Sequence, residues 1–122
     1  MKIKESAENY LETILILSKK NGCVRSIDVA NEMNFTKASI SVAMKRLRED
    51  EYIVMDADGI ITLTDKGKEI ASMVYERHQT IAKILIALGV NEETAYEDSC
   101  KIEHDLSRES FEKIKEYYEK QI

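Results

Sequence analysis

Apolar residues near the start of the chain recur at the spacing of an amphipathic helix. Leu11, Ile14 and Leu17 fall on one face at a period close to 3.6 residues. This pattern predicts a first helix over residues 6–20. Gly22 follows it, and glycine suits the left-handed conformation that ends many helices.

Two further helices, separated by a tight turn, are predicted next. Ser26 can cap a short helix with the sequence SIDVANEM, and the dipeptide NF supplies the turn. Thr36 can cap a longer helix over residues 36–50. The buried face of that helix is predicted from apolar residues at helical spacing, namely Ile40, Ala43, Met44 and Leu47.

The period then changes to one that is typical of strands. Residues 52–55 and 60–63 are rich in β-forming side chains, and the sequence DADG lies between them. Aspartate and glycine supply the backbone conformations of a tight turn. We therefore predict a β-hairpin.

The rest of the chain is predicted to be helical. Thr64 can cap a long helix over residues 65–88 that ends at Gly89, while Asn91 and Ser107 can cap two more helices. The order is helix, helix, turn, helix, hairpin and three helices. The predicted fold class is mostly α.

Size and composition describe a folded globular chain. Of the 122 residues, 43% are hydrophobic and 34% are charged, which is typical of folded proteins and not of disordered ones. No apolar run approaches the roughly 20 residues of a membrane span, and the N-terminus MKIKESAENY lacks a signal-peptide core. We expect a cytoplasmic protein without a membrane partner. Cys23 and Cys100 are too few for a disulfide framework and are expected to be thiols.

The distribution of charge matters more than the net charge of −5. Residues 1–72 carry 11 basic and 12 acidic side chains, whereas residues 73–122 carry 7 and 11. Residues 36–48 contain four basic side chains and no acidic one. Because a duplex responds to the local field of the docking surface, the net acidity weakens a DNA-binding interpretation without excluding it.

The order helix, turn, helix, hairpin is that of a winged helix-turn-helix domain, whose second helix lies in the major groove. Polar side chains on its outer face can bind phosphates, and small apolar ones can contact thymine methyl groups. The alternative is an amphipathic helix with a merely solvated basic face. The acidic hairpin tip, residues 56–59, is expected to add little DNA affinity. The candidate DNA-binding residues are Ser26, Thr36, Lys37, Ala38, Ser39, Ser41, Val42, Lys45 and Arg46.

The stretch CKIEHDLS concentrates metal-capable side chains. Cys100, Glu103 and His104 stand at i, i+3 and i+4, so they share one face if all three lie on the fifth helix. A metal site, a nucleophile with its base, and an ordinary amphipathic helix are all open interpretations. No phosphate-binding glycine loop or oxyanion donor cluster accompanies the thiol, so we expect neither an enzyme nor a small organic substrate.

Five segments together resemble the diphtheria-toxin-repressor and manganese-transport-regulator family of metal-dependent repressors. They are SAENYLETIL, VRSIDVANEMNFTKASISVAMKRLREDEYI, ITLTDKGKEIA, ERHQTIAKIL and CKIEHDLS, and they cover nearly the whole chain. The resemblance implies a winged helix-turn-helix domain over residues 1–72 and an all-helical metal-binding and dimerisation domain over residues 73–122. It also implies a homodimer that binds double-stranded operator DNA when metal is bound.

The resemblance places the family's metal ligands on Asn9, Glu12, His78, Cys100, Glu103 and His104. Manganese-type members carry a carboxylate in place of Cys100 and an aspartate in place of Asn9, whereas iron-type members share the cysteine but carry a methionine in place of Asn9. Glu12 resembles the manganese branch. Ala82 and Tyr96 replace the glutamate and histidine of the iron branch's second site. We also expect a short form without that branch's SH3-like domain.

The ligand chemistry favours a transition metal. Thiolate, imidazole and carboxylate together suit Fe²⁺, Co²⁺, Ni²⁺ or Zn²⁺ better than Mg²⁺ or Ca²⁺, and the thiolate favours Fe²⁺ over Mn²⁺. We therefore predict an iron- or manganese-activated transcriptional regulator that represses metal-uptake genes. The alternative is a winged-helix DNA-binding protein that is metal-independent, or that senses redox state through Cys100.

Overall fold

The chain folds into helices with one small hairpin, as the mostly α prediction requires. The structure is a computed structural model that describes residues 5–121. Its elements are α1 (Glu5–Asn21), α2 (Ser26–Met33), α3 (Lys37–Glu49), β1 (Ile53–Met55), β2 (Ile61–Leu63), α4 (Asp65–Ala87), α5 (Glu92–Ile102) and α6 (Arg108–Lys120). They form two compact units whose boundary lies between Ser72 and Met73, inside α4.

The N-terminal unit packs α1, α2, α3 and the hairpin around one apolar core. Fully burying a Leu, Ile or Met side chain contributes about 1.5–3 kcal/mol, so these residues decide which face of each helix turns inward. On α3 the inward face is the predicted one, although Ala43 is only half-buried. The buried core residues of this unit include Leu11, Ile14, Leu17, Val24, Val29, Ile40, Met44, Leu47, Ile53 and Ile61.

Four predicted helix caps are confirmed. Thr36, Thr64, Asn91 and Ser107 each accept a hydrogen bond through the side chain from a backbone N–H in the first turn of the following helix. These bonds satisfy donors that a helix start otherwise leaves without an intrahelical acceptor. The starts of α3, α4, α5 and α6 are therefore fixed by local chemistry.

The prediction that Ser26 caps α2 is wrong. Ser26 is the first helical residue, and Arg25 precedes it in extended conformation. The carboxylate of Asp28 accepts a hydrogen bond from the Arg25 N–H at 2.9 Å. A carboxylate in the first helical turn also interacts favourably with the positive end of the helix dipole, so α2 starts through Asp28 and not through a serine hydroxyl.

The hairpin is antiparallel, with Val54 opposite Thr62 in its centre. Each strand is one residue shorter than predicted, because Tyr52 N–H donates to the Leu47 carbonyl and Ile60 N–H donates to the Asp56 carboxylate instead.

The acidic tip of the hairpin organises its own turn. The Asp56 carboxylate accepts hydrogen bonds from the N–H groups of Asp58 and Ile60, both at 2.9 Å. The Arg25 guanidinium donates to the Asp58 carbonyl at 3.3 Å. Asp56 therefore stabilises the turn, which is an ordinary role for an aspartate at this position.

The C-terminal unit consists of the rest of α4 with α5 and α6. Gly89 adopts a φ of 104° just after α4, in the left-handed region that glycine enters without steric cost. Val74, Ile81, Ala95 and Phe111 are among its buried side chains. Within residues 5–121 no helix has the length and apolar character that crossing a bilayer demands.

The end of α5 differs from the expectation. The shared face considered for Cys100, Glu103 and His104 requires all three to lie on the fifth helix, but α5 ends at Ile102. Glu103 occupies the C-cap position and keeps a helical hydrogen bond from its N–H to the Ser99 carbonyl. His104 lies in the turn that follows.

Candidate metal centre and DNA-binding surface

Three predicted ligands meet at the end of α5. One ligand atom each from Cys100, Glu103 and His104 lies within 4.8 Å of the other two. Glu103 is 1% exposed and His104 8% exposed, while Cys100 is half-buried. Nε2 of His104 lies 3.4 Å from Oε1 of Glu103. The cluster is small enough to surround a single cation with sulfur, nitrogen and oxygen donors.

The electrostatics of this position favour a cation. Both carboxylate oxygens of Glu103 are buried, and removing a carboxylate from water is costly unless positive charge or donors face it. The last carbonyls of a helix also carry a partial negative charge, equivalent to about half an electron. Because Cys100 and Glu103 lie at the C-terminal end of α5, the helix itself adds to the attraction for a metal ion.

His78, on α4, is a fourth candidate ligand in the same unit. A ring nitrogen of His78 lies within 4.8 Å of a carboxylate oxygen of Glu103. Its Nε2 lies 3.1 Å from the carbonyl oxygen of Tyr96. A carbonyl only accepts, so Nε2 carries the hydrogen in this contact, and in the neutral imidazole Nδ1 then keeps its lone pair. Metal-binding histidines are commonly oriented in this way by a backbone carbonyl.

Tyr96 stands at the position where the iron branch carries the histidine of its second metal site, and it has another role here. The ring of Tyr96 packs edge-on against that of His78, with centroids 5.9 Å apart, and its hydroxyl donates to Gln79 Oε1 at 3.3 Å. Tyr96 therefore orients His78 through its carbonyl and its ring.

Sequence reasoning missed two supporting residues. Ser99 is fully buried and its hydroxyl donates to the carbonyl of His78. Arg77 donates through Nη1 to the carbonyls of Glu103 and Leu106, at 3.1 and 2.9 Å. Both are sequence neighbours of predicted ligands. That adjacency was the only signal, because the contacts join positions 21 to 29 residues apart.

Asn9 and Glu12 lie on α1, in the N-terminal unit. They are one helical turn apart, so their side chains share a face of the helix. Glu12 is 6% exposed, which is unusual for a carboxylate, and Asn9 is half-buried. Their participation in a metal site stays a prediction.

The candidate DNA-binding residues of α3 and its cap all face solvent. The set comprises Thr36, Lys37, Ala38, Ser39, Ser41, Val42, Lys45 and Arg46. Ser26, at the start of α2, is half-buried. Val42 is 56% exposed, an unusual position for an apolar side chain on a helix that buries Ile40 and Met44. The outer face of α3 thus presents cations, hydroxyls and two small apolar groups, Ala38 and Val42, together.

Thr36 and Ser39 are already linked to each other. Thr36 Oγ1 accepts from the Ser39 N–H at 3.1 Å, and the Thr36 hydroxyl donates to Ser39 Oγ at 3.0 Å. The Thr36 hydroxyl is therefore committed to capping, while the Ser39 hydroxyl keeps its own hydrogen to donate. Of the two, Ser39 is the better candidate for a phosphate contact.

The N-terminal unit is a winged helix-turn-helix, and the helical C-terminal unit brings together a thiol, a carboxylate and imidazoles. These two features define the class of metal-dependent winged-helix transcriptional regulators. Residues 2–59 match the family described as "Iron dependent repressor, N-terminal DNA binding domain". Residues 64–121 match "Iron dependent repressor, metal binding and dimerisation domain". The chain belongs to the iron-dependent repressor family of DNA-binding transcriptional regulators, as its sequence motifs predicted.

Relatives of similar length support this assignment. The HTH-type transcriptional regulator MntR of Geobacillus thermodenitrificans is 36% identical over 109 residues, which are 89% of this chain and 77% of the relative. An uncharacterised HTH-type transcriptional regulator of Methanocaldococcus jannaschii is 35% identical over 120 residues, covering 97% of this chain and 96% of the relative.

Solved structures show the same fold in longer chains. The manganese regulator SloR superposes with a TM-score of 0.81 at 24% identity, and the metal-dependent transcriptional regulator MtsR with a TM-score of 0.85 at 24% identity. The matches cover 98% and 93% of this chain but only 55% and 53% of those chains. This chain therefore spans about half the length of these structural relatives.

Proposed function

We propose that the protein is a homodimeric repressor of metal-uptake genes whose operator binding is switched on by a divalent transition metal. The observation that carries the proposal is the convergence of Cys100, Glu103 and His104 at the end of α5. The proposed ligands are Asn9, Glu12, His78, Cys100, Glu103 and His104. A regulator of this kind acts where its operator DNA is, which is the cytoplasm.

The proposed ligands fit a divalent cation chemically. Cys100 and Glu103 would bring negative charge, and His78 and His104 would bring neutral nitrogen donors. When bound, the ion would place positive charge next to the buried carboxylate of Glu103, which is 1% exposed. The thiol, carboxyl and imidazolium groups must each lose a proton to bind, so we expect metal affinity to fall at acid pH.

The switch would arise because the proposed ligands come from both units. Asn9 and Glu12 belong to the N-terminal unit, whereas the other four belong to the C-terminal unit. A metal ion that binds all six proposed ligands would favour one arrangement of the dimer over others. Coupling between two sites is typically about 1–3 kcal/mol, which is roughly 5- to 150-fold in operator affinity. By reciprocity, operator DNA would tighten metal binding by the same factor.

The DNA-reading element would be α3. Lys45 and Arg46 provide phosphate contacts from the exposed face, while Ala38 and Val42 present methyl groups. A twofold dimer places two such helices in successive major grooves, about 34 Å or a multiple apart. We expect a palindromic operator with half-sites at that spacing.

We propose Fe²⁺ ahead of Mn²⁺ as the physiological metal. The support is Cys100, since a thiolate is a softer donor than the carboxylate that the manganese branch carries there. The family description names iron, whereas SloR is described as a manganese regulator. The wider family thus includes both metals, and position 100 is one of the positions at which the two branches differ.

The test of the switch is operator affinity with and without metal. Under anaerobic reducing conditions, excess Fe²⁺ is expected to raise operator affinity by roughly 5- to 150-fold. Cys100→Ser is expected to lose most of the Fe²⁺ response and to retain more of the Mn²⁺ response, because a hydroxyl is the harder donor. Fluorescence anisotropy of labelled operator DNA measures both responses.

The matched control for the thiol is Cys23→Ser, because Cys23 is an exposed cysteine outside the cluster. It should behave as the wild type. Equal wild-type operator affinity with and without excess metal would refute the switch. A Cys100→Ser variant that keeps its full metal response but loses a peroxide response would establish the redox-sensing alternative instead.

A groove on the C-terminal unit is proposed as the dimer interface. It has a volume of about 410 Å³ and lies between α4 and α6. Leu88 is 77% exposed and Tyr117 69% exposed, and exposed apolar patches of this kind mark interaction surfaces. The family description of residues 64–121 names dimerisation, so a second copy of the chain is the proposed occupant. The apolar residues that line the groove are Ile84, Ala87, Leu88, Ile114, Tyr117 and Tyr118.

Leu88→Lys is expected to weaken the dimer, because it places a charge in a surface that association would remove from water. Sedimentation equilibrium should show the dissociation constant rising by tenfold or more, on the order of 1.4 kcal/mol. Val54→Lys is the control, since Val54 is an exposed apolar residue of the hairpin outside this groove. A Leu88→Lys variant that dimerises as tightly as the wild type would exclude the groove.

A further inference from the structure

Arg77 connects three segments of the C-terminal unit. It lies on α4, next to His78, and its Nη1 donates to the carbonyl oxygens of Glu103 at 3.1 Å and Leu106 at 2.9 Å. Its guanidinium carbon lies 5.1 Å from the ring centroid of Phe111, a buried residue in the first turn of α6. The side chain of Arg77 thus contacts the end of α5, the turn that follows it and the first turn of α6.

The turn that Arg77 contacts contains two candidate ligands. Because α5 ends at Ile102, the main chain from Glu103 to Leu106 is a turn and not a helix. The last carbonyls of a helix have no intrahelical donors, and buried ones need donors from elsewhere. The guanidinium supplies donors at both ends of this turn. Its positive charge also strengthens both hydrogen bonds relative to neutral ones.

We propose that Arg77 is a positioning residue for the metal centre. It holds the main chain at Glu103 and Leu106, and thereby sets the directions in which the side chains of Glu103 and His104 leave the turn. The convergence of those side chains with Cys100 depends on these two hydrogen bonds. The inference rests on the proposed metal site, since it assigns Arg77 a role only if that site binds a cation.

The ring of Phe111, which packs against the guanidinium, holds the side chain of Arg77 in place. A guanidinium over an aromatic face is attracted to the ring, and the attraction is stronger where water is excluded. Phe111 is 4% exposed, so the ring that supports Arg77 is part of the core of this unit. A lysine could retain the charge and reach a carbonyl, but it lacks the planar group that stacks on the ring. Arg77 is therefore suited to hold the turn in one conformation.

Co²⁺ provides a direct test, because a Co²⁺–thiolate bond gives a near-ultraviolet charge-transfer band and the visible bands report ligand geometry. The probe is Co²⁺ alone, added anaerobically to the full chain without DNA. In Arg77→Met we expect Co²⁺ affinity to fall by roughly 10- to 100-fold, the usual effect of losing a residue that orients metal ligands. The visible bands at saturation should also change. Arg77→Lys should recover part of the affinity.

The control is Lys115→Met, which removes a contact between α4 and α6 without touching the turn. The Lys115 ammonium pairs with the Glu76 carboxylate, whose hydrogen bond and charge raise the pKa of Lys115. Lys115→Met should keep the wild-type affinity and spectrum. An equal loss in this control and in Arg77→Met, with no recovery in Arg77→Lys, would mean general destabilisation and would overturn the positioning role.

Two further outcomes separate this inference from the proposed function. Wild-type protein that binds no Co²⁺ through a thiolate would refute the metal site itself. Wild-type protein that binds Co²⁺, together with an Arg77→Met variant of unchanged affinity and spectrum, would refute the role of Arg77 alone. If Arg77→Met does not fold, Arg77→Lys decides: weaker Co²⁺ binding than the wild type supports the role, and equal binding overturns it.

Discussion

Glu103→Gln is expected to abolish metal activation of operator binding. Glu103 is the most buried member of the cluster, and its carboxylate lies within 4.8 Å of the donor atoms of both Cys100 and His104. Glutamine keeps the size of the side chain but removes the negative charge that a cation would neutralise. The roughly 5- to 150-fold increase in operator affinity that we expect from metal should therefore disappear. Anisotropy titrations with and without Fe²⁺ or Mn²⁺ measure the effect.

The matched control is Glu109→Gln, because Glu109 is an exposed acid in the first turn of α6. It removes the same charge and should leave metal activation intact. The apo form of Glu103→Gln should stay folded, because replacing a buried carboxylate with an amide lowers the cost of burial. A folded Glu103→Gln protein that Fe²⁺ activates as strongly as the wild type would remove this residue from the switch.

The double substitution Lys45→Ala/Arg46→Ala is expected to weaken operator binding and to flatten its dependence on salt. Each phosphate contact contributes about 0.9 to the slope of log affinity against log salt. Losing two contacts should therefore reduce that slope by about 1.8. At low salt we expect a loss of affinity on the order of tenfold to 100-fold. Titrations over a series of salt concentrations, with metal saturating, measure both quantities.

The control for this double variant removes two positive charges elsewhere. Lys83 and Lys120 are exposed on α4 and α6, in the C-terminal unit. Lys83→Ala/Lys120→Ala lowers the net charge equally, so it reveals any effect of total charge on association. An unchanged salt slope in Lys45→Ala/Arg46→Ala, with the control behaving identically, would exclude the outer face of α3 from the DNA interface.

Local signals in the sequence were sufficient for most of the fold. The helical period of Leu11, Ile14 and Leu17 and the capping side chains of Thr36 and Ser107 depend on neighbours within one turn. Such contacts are visible in a linear sequence because their partners lie a few positions away. The prediction that Ser26 caps α2 was wrong, although serine before an apolar run is often a helix cap. The neighbouring Asp28 supplies the competing bond that moves the start of α2.

The candidate site was only partly predictable. The motif of Cys100, Glu103 and His104 was visible, yet its position past the end of α5 was not. Nothing within one turn of Ile102 marks the helix end as glycine marks the end of α4. The support from Arg77 was also invisible, since it reaches carbonyls 26 and 29 residues away. Backbone acceptors carry no residue-specific signal, so only the folded chain reveals which side chain satisfies them.

The end of α5 at Ile102 has a consequence for local dynamics. The Asp105 N–H donates to the Ile102 carbonyl at 3.0 Å, so its protection from deuterium exchange depends on the turn and not on a continuing helix. An ion that binds only the closed turn lowers the open population by a factor of 1 + [L]/Kd. Amide exchange at this turn should then slow by the same factor as the concentration of free metal rises. Metal binding would be visible on the main chain itself, in a single protomer and without nucleic acid.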